Sequence, residues 1–171
     1  MSENKNPFFE PYGTPHDTVP FDRIKLEHFE EAFMEGIRRD NEQIEKTINN
    51  PEKPTFDNTI INVDDEKGDN GYYDLLSRVS SVFFNLLSAE TNDEMDALAQ
   101  KMSPILTKHA NDIRLNEKLF ERIRYVHRHH RKLSPEEKML LDNCYDGFVR
   151  SGALLDAAGK EHLLKVFYPK R

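Results

Sequence analysis

The chain has 171 residues, one domain or one and a half at ~100–200 residues per domain. With 37% hydrophobic residues, 32% charged residues and a formal net charge of −7, it is polar, yet rich enough in core formers to fold. No window approaches ~18 consecutive apolar residues, which excludes a membrane-spanning helix. A single cysteine, Cys144, excludes an intramolecular disulfide framework and a multi-cysteine zinc site. Residues 1–10 have no basic stretch followed by an apolar run, so the cytoplasm is the expected compartment.

Residues 1–22 read as an extended arm. Pro7, Pro11, Gly13, Pro15 and Pro20 break any helix, and Phe8, Phe9, Tyr12 and Phe21 supply rings expected to dock it on a helical surface. Residues 23–171 read as helical. Leu26, Phe29, Phe33, Ile37, Ile44 and Ile48 fall at helical spacing over about 23 residues, with charges opposite, and Asn49-Asn50-Pro51 ends the run. Thr55 is the expected N-cap of a second helix carrying Phe56, Ile60 and Val63.

The acidic stretch 64–71 invites a calcium-loop reading, but neither Gly68 nor Gly71 falls sixth in a satisfactory ligand frame, so a solvated turn is expected. Tyr72 opens a third helix whose wide face, with Leu75, Leu76, Val79, Val82, Phe83, Leu86 and Leu87, implies burial on more than one side. Thr91 to Glu94 reads as a capping box for a fourth helix, kinked at Pro104. Asn116 caps a short helix with Leu119, Ile123 and Val126. Ser134-Pro135-Glu136-Glu137 starts the next, with Leu141, Cys144 and Phe148 on its apolar face and Gly152 loosening its end. A last segment spans Leu154 to Tyr168. With no strand alternation and no repeat, the fold class is all-α, an irregular array of about six helices.

Charge is uneven: residues 1–100 carry 9 basic and 22 acidic side chains, residues 101–171 carry 15 and 9. Interleaving of the basic excess with acids favours a docked or solvated surface over a nucleic-acid face. No nucleic-acid motif is present and the pI is near 5.5, so neither nucleic acid nor membrane is expected as a partner. His127 and His130 lie one helical turn apart, a weak metal chelate, but Arg122, Arg124, Arg128, Arg131 and Lys132 oppose a divalent ion there. A zinc-peptidase helix needs H-E-x-x-H, and no histidine here precedes a glutamate. Cys144 reads as a small core residue. The residues alone thus point to a helical module without catalytic, cofactor-binding or metal-binding residues.

Several runs in order resemble one family. They are Asn6-Pro7-Phe8, Tyr12-Gly13-Thr14-Pro15, Pro20-Phe21-Asp22-Arg23-Ile24, Glu27-His28-Phe29, and Pro54-Thr55-Phe56-Asp57-Asn58-Thr59. Further on come Arg78-Val79-Ser80-Ser81-Val82-Phe83-Phe84-Asn85, Leu115-Asn116-Glu117, and Gly147-Phe148-Val149-Arg150-Ser151-Gly152-Ala153. From Asn6 to about Lys165 the chain resembles the N-terminal region of bacterial peptidyl-dipeptidases and oligopeptidase A-type enzymes, in the thimet-oligopeptidase family of zinc metallopeptidases.

The resemblance implies a helical, two-lobed fold around a channel for short peptides, with these helices in one wall. It also implies a zinc centre built several hundred residues further on, of which no ligand carries over to this chain. Leu26 stands where the family usually has proline, and the end, residues 166–171, departs from the family's continuing helix. The expectation is therefore a chain cut short, lacking the catalytic region and inactive alone, with apolar faces left for a homodimer. The alternative is a free-standing helical module that binds peptides or proteins.

Overall fold

The computed structural model describes residues 5–63 and 75–167. Among them are six α-helices and no strand: α1 Leu26–Ile48, α2 Leu75–Ala89, α3 Asp93–Arg114, α4 Glu117–His129, α5 Pro135–Arg150 and α6 Ala157–Phe167. The expected all-α array is the one observed. No described helix is long and apolar enough to cross a membrane. The chain divides into two compact units, Met1–Glu42 with Asp65–Thr107, and Gln43–Asp64 with Lys108–Arg171. The expected turn at 64–71 and the helix start at Tyr72 lie outside the described residues.

The first unit is organised by phenylalanines. Phe8 packs on Phe29 at 5.2 Å between ring centroids, Phe29 on Phe83 at 5.1 Å, and Phe83 on Phe33 at 5.4 Å. Such tilted and edge-on contacts suit the ring quadrupoles. Most of the broad face of α2 is used within this unit: Leu75, Val79, Val82 and Phe83 are buried among side chains of the arm, α1 and α3, Leu76, Leu86 and Leu87 are partly buried against them, and Phe84 stays exposed.

The arm is extended apart from two short 3-10 turns, Pro7–Phe9 and Pro15–Asp17. Asn6 anchors it. Its Oδ1 accepts from the Phe8 N–H, while its Nδ2 donates to the His28 carbonyl at 2.8 Å and to Glu31 Oε2 at 3.0 Å. Arg78 of α2 donates to the Phe8 carbonyl and lies 5.1 Å from the Tyr12 ring centroid. Phe8 and Tyr12 are buried and Phe9 is half-buried, as their place in the arm suggested. Phe21 corrects the expectation, being 59% exposed. It sits in the turn after Pro20, where the Arg23 and Ile24 amides bond back to the Pro20 carbonyl, and the ring is left in solvent.

The α1 helix begins without a Ser, Thr, Asp or Asn cap. Instead the His28 Nδ1 accepts from the Lys25 N–H at 3.0 Å, the return half of a capping box supplied by an imidazole. At α3 the cap is one residue later than Thr91. Asn92 Oδ1 accepts from the Met95 N–H, and the Thr91 hydroxyl donates to Asp96. Asparagine holds an N-cap at least as well as threonine, and the Met95 amide lies within its reach. Pro104 lies inside α3; having no N–H, it cannot donate the helical bond to the Gln100 carbonyl four residues earlier.

In the second unit, Thr55 caps as expected, with Asn58 completing the box, but the segment is a single wide π turn, Phe56–Ile61, and Val63 lies beyond it. This turn packs on α4 and α5, which form a helical hairpin. Phe120 stacks on Tyr145 at 5.7 Å and on Phe148 at 6.1 Å, and Ile60, Leu119, Ile123 and Leu141 close the cluster. The Asn116 cap and the capping box of Ser134 with Glu137 are as the sequence suggests.

Gly152 corrects a further expectation. Its N–H bonds the Val149 carbonyl and the Ala153 N–H bonds the Phe148 carbonyl, with φ +95° at the glycine. This paired 5→2 and 6→1 arrangement is a Schellman ending, which fixes the end of α5 rather than loosening it. The last helix starts at Ala157, not Leu154, because Asp156 Oδ1 accepts from the Gly159 N–H. Leu154 and Leu155 precede it, both exposed.

Candidate functional site

The first unit carries a groove of about 790 Å³ between the N-terminal halves of α1 and α3. On α1, Leu26, Glu27, Glu30, Glu31 and Met34 repeat at helical spacing and turn one face toward it. On α3, Glu94, Ala97, Leu98 and Lys101 do the same. Leucine, alanine and methionine supply an apolar surface, and four carboxylates against one ammonium surround it. Lys101 Nζ reaches Glu30 at 2.5 Å and Glu31 is tied to Asn6. Glu27 pairs loosely with the exposed Lys25, at 3.9 Å. Met34 is 48% exposed, so apolar surface remains open to solvent.

The arm holds its own aromatic clamp around Tyr12, with Arg78 5.1 Å from the ring centroid. Burial pushes the Tyr12 hydroxyl above its ordinary value, with Arg78 pulling it down and Asp17 pushing it up. The Arg23 guanidinium donates to the Tyr12 carbonyl at 2.6 Å. These groups hold the arm, and none is placed as a nucleophile with a base.

In the second unit Arg122 is a structural clasp. Its guanidinium donates to the Asn50 carbonyl at 3.0 Å and to Asn58 Oδ1 at 3.2 Å, gathering the loop after α1 and the π turn onto α4. Burial draws its proton affinity below the ordinary arginine value.

The histidine cluster on α4 is locally engaged. His127 stacks on Tyr145 at 4.1 Å with its Nε2 3.4 Å from Asp142 Oδ1, and His129 stacks on Tyr125 at 4.3 Å. His130 Nδ1 sits 2.8 Å from the His127 carbonyl. The His127 and His130 rings are 6.4 Å apart. Among the described residues no three His, Cys, Asp or Glu side chains are placed to hold a metal together. Cys144 is half-buried against the apolar cluster of α4 and α5.

Sequence reasoning missed the groove, the Asn6 anchor and the Arg122 clasp. Asn6-Pro7 does carry a readable signal, an N-cap residue before a proline at the first turn position. Arg122 offered none, because its partners lie 64 to 72 residues away.

No protein-family model matches the chain. Over 160 residues it is 38% identical to the dipeptidyl carboxypeptidase of Salmonella typhimurium (strain LT2), and over 160 residues it is 37% identical to that of Escherichia coli (strain K12). Each match covers 92% of this chain and 23% of the relative. The chain is therefore related to dipeptidyl carboxypeptidases over nearly all of its length, and it spans about a quarter of theirs.

Proposed function

We propose that this chain is the N-terminal helical part of a cytoplasmic, zinc-dependent peptidyl-dipeptidase or oligopeptidase. In this reading it forms part of the wall around a channel for short peptides, holds no zinc ligand and is inactive alone. One observation carries it: 38% identity runs through 92% of this chain yet touches only 23% of the relative, while the sequence holds no His-Glu pair. A wall needs shape and stability, which the two apolar clusters supply, and needs no catalytic group of its own.

A chimera tests this. The Escherichia coli dipeptidyl carboxypeptidase, with its matching 160 residues replaced by this chain, is expected to fold and to cleave a quenched peptide substrate with sensitivity to o-phenanthroline. A chimera that melts cooperatively but shows no cleavage overturns the reading.

The second reading, a free-standing helical binding module, draws on the closed apolar cluster that each unit possesses. The DNA after the Arg171 codon separates the two. An H-E-x-x-H reading frame within a few hundred codons supports the peptidase part, and a terminator followed by an unrelated gene supports the module. The first reading carries with it a homodimer through apolar faces left by a missing region, to which the exposed Phe84 of α2 contributes along with Met139, Leu154 and Leu155.

A further inference from the structure

We propose that the α1–α3 groove is a docking site for a basic peptide segment, one that carries Lys or Arg beside an apolar side chain. The proposal rests on the groove and not on the peptidase reading. The volume, about 790 Å³, falls in the ~300–1,000 Å³ range of ligand pockets. Its chemistry is two-sided. Met34 and the half-buried Leu26 offer apolar contact, with the buried Leu98 beneath them, and an exposed methionine adapts to varied partners. Glu27, Glu30 and Glu94 set a negative field over that surface.

A cationic side chain meets complementary charge at the rim while its apolar neighbour displaces water from the floor. Complementary charge of this kind steers encounter and rejects acidic partners. Lys101 already demonstrates the recognition: its ammonium sits against Glu30 at 2.5 Å across the groove. An incoming guanidinium, planar and able to bond a carboxylate through two N–H groups, competes well for the same oxygen atoms. A bare divalent cation fits poorly, because it wants six or more oxygen ligands and finds an apolar floor.

The test uses the whole chain and three fluorescein-labelled octapeptides in fluorescence anisotropy: alternating Lys-Leu, alternating Glu-Leu, and all-Lys. The Lys-Leu peptide is expected to bind. The all-Lys peptide, lacking apolar contact, should bind about tenfold more weakly, and the Glu-Leu peptide should not bind. Glu27→Lys with Glu94→Lys should weaken Lys-Leu binding about tenfold, and raising the salt should weaken it for the parent chain. Glu52→Lys with Glu90→Lys makes the same charge change at exposed positions outside the groove and should leave binding unchanged.

Equal loss in the two charge-reversed pairs, equal binding of the all-Lys peptide, or no binding by the parent chain overturns the proposal. Circular dichroism reports folding of each variant. Glu27→Gln with Glu94→Gln, milder at the start of α3, should weaken binding several-fold if the reversed pair fails to fold.

Discussion

A Cβ added to Gly36 on α1 would sit 2.9 Å from both Cα and Cβ of Leu76 on α2. The two helix backbones meet at this point, and the neighbour in the way is main chain rather than a side chain free to turn aside. Alanine favours a helix over glycine by about 1 kcal/mol, so sequence propensity says that Gly36→Ala should stabilise. The contact predicts the opposite: overpacking costs about 1–3 kcal/mol and outweighs the helical gain. Denaturant melts are expected to show a net loss for Gly36→Ala, and a rise in midpoint would contradict the close approach.

The arm separates two phenylalanines that look alike in sequence. Phe8 is fully buried, so Phe8→Ala should cost about 3–5 kcal/mol, whereas the exposed Phe21→Ala should change stability by less than about 0.5 kcal/mol. Deleting residues 1–22 should lower the melting temperature, since the deletion also removes Asn6. Equal effects of the two alanine variants would show that the arm docks differently.

Arg122→Lys is predicted to be far from conservative. A single ammonium cannot reach the Asn50 carbonyl and the Asn58 side chain in the geometry of the guanidinium fork. Leaving part-buried acceptors unmet costs about 1–3 kcal/mol, read as a shift of the unfolding midpoint. Hydrogen exchange should rise first at residues 55–61, the turn that this arginine holds.

Glu35 lies between Arg38 and Arg39, and their hydrogen bonds lower its carboxyl pKa from the ordinary 4.5 to about 2. A carboxylate held below its unfolded value contributes stability that is complete above about pH 4.5. That contribution fades as the pH falls toward 2. Because these ion pairs face solvent, the contribution is small and falls with salt. Carbon-13 NMR of the Glu35 carboxyl should show titration near pH 2, moving toward 4.5 in Arg38→Ala. A midpoint already near 4.5 in the parent chain would refute the pairing.

Sedimentation equilibrium at micromolar concentration is expected to show a dimer in exchange with the 20.0 kDa monomer. Leu154→Lys with Leu155→Lys should shift the balance to monomer, because hidden apolar surface is what a two-fold interface supplies. A single monomeric species across a tenfold concentration range counts against association.

Helix identity was legible because it depends on neighbours in sequence. The 3.6-residue spacing from Leu26 to Ile48, the Asn116 cap and the box of Ser134 with Glu137 each act within a turn or two of the chain. The same locality explains the small errors. Thr91 and Asn92 are both good caps, and only the position of the Met95 amide chose between them. Gly152 read as a weak point because a glycine in sequence carries no sign of whether its left-handed backbone closes a Schellman ending.

By itself, then, the sequence determined an all-helical chain, its main caps, most of its apolar faces and a kinship to peptidases carried by ordered runs such as Arg78 to Asn85. The tertiary structure alone decided which arm rings are buried, which glycine admits a second backbone, and that Glu27, Glu30 and Glu94 share one groove. The physical reason is range. Helix propensity and capping are written within a few residues, whereas burial, close approach and a shared electrostatic field arise between residues dozens of positions apart, and they exist only once packing has brought those residues together.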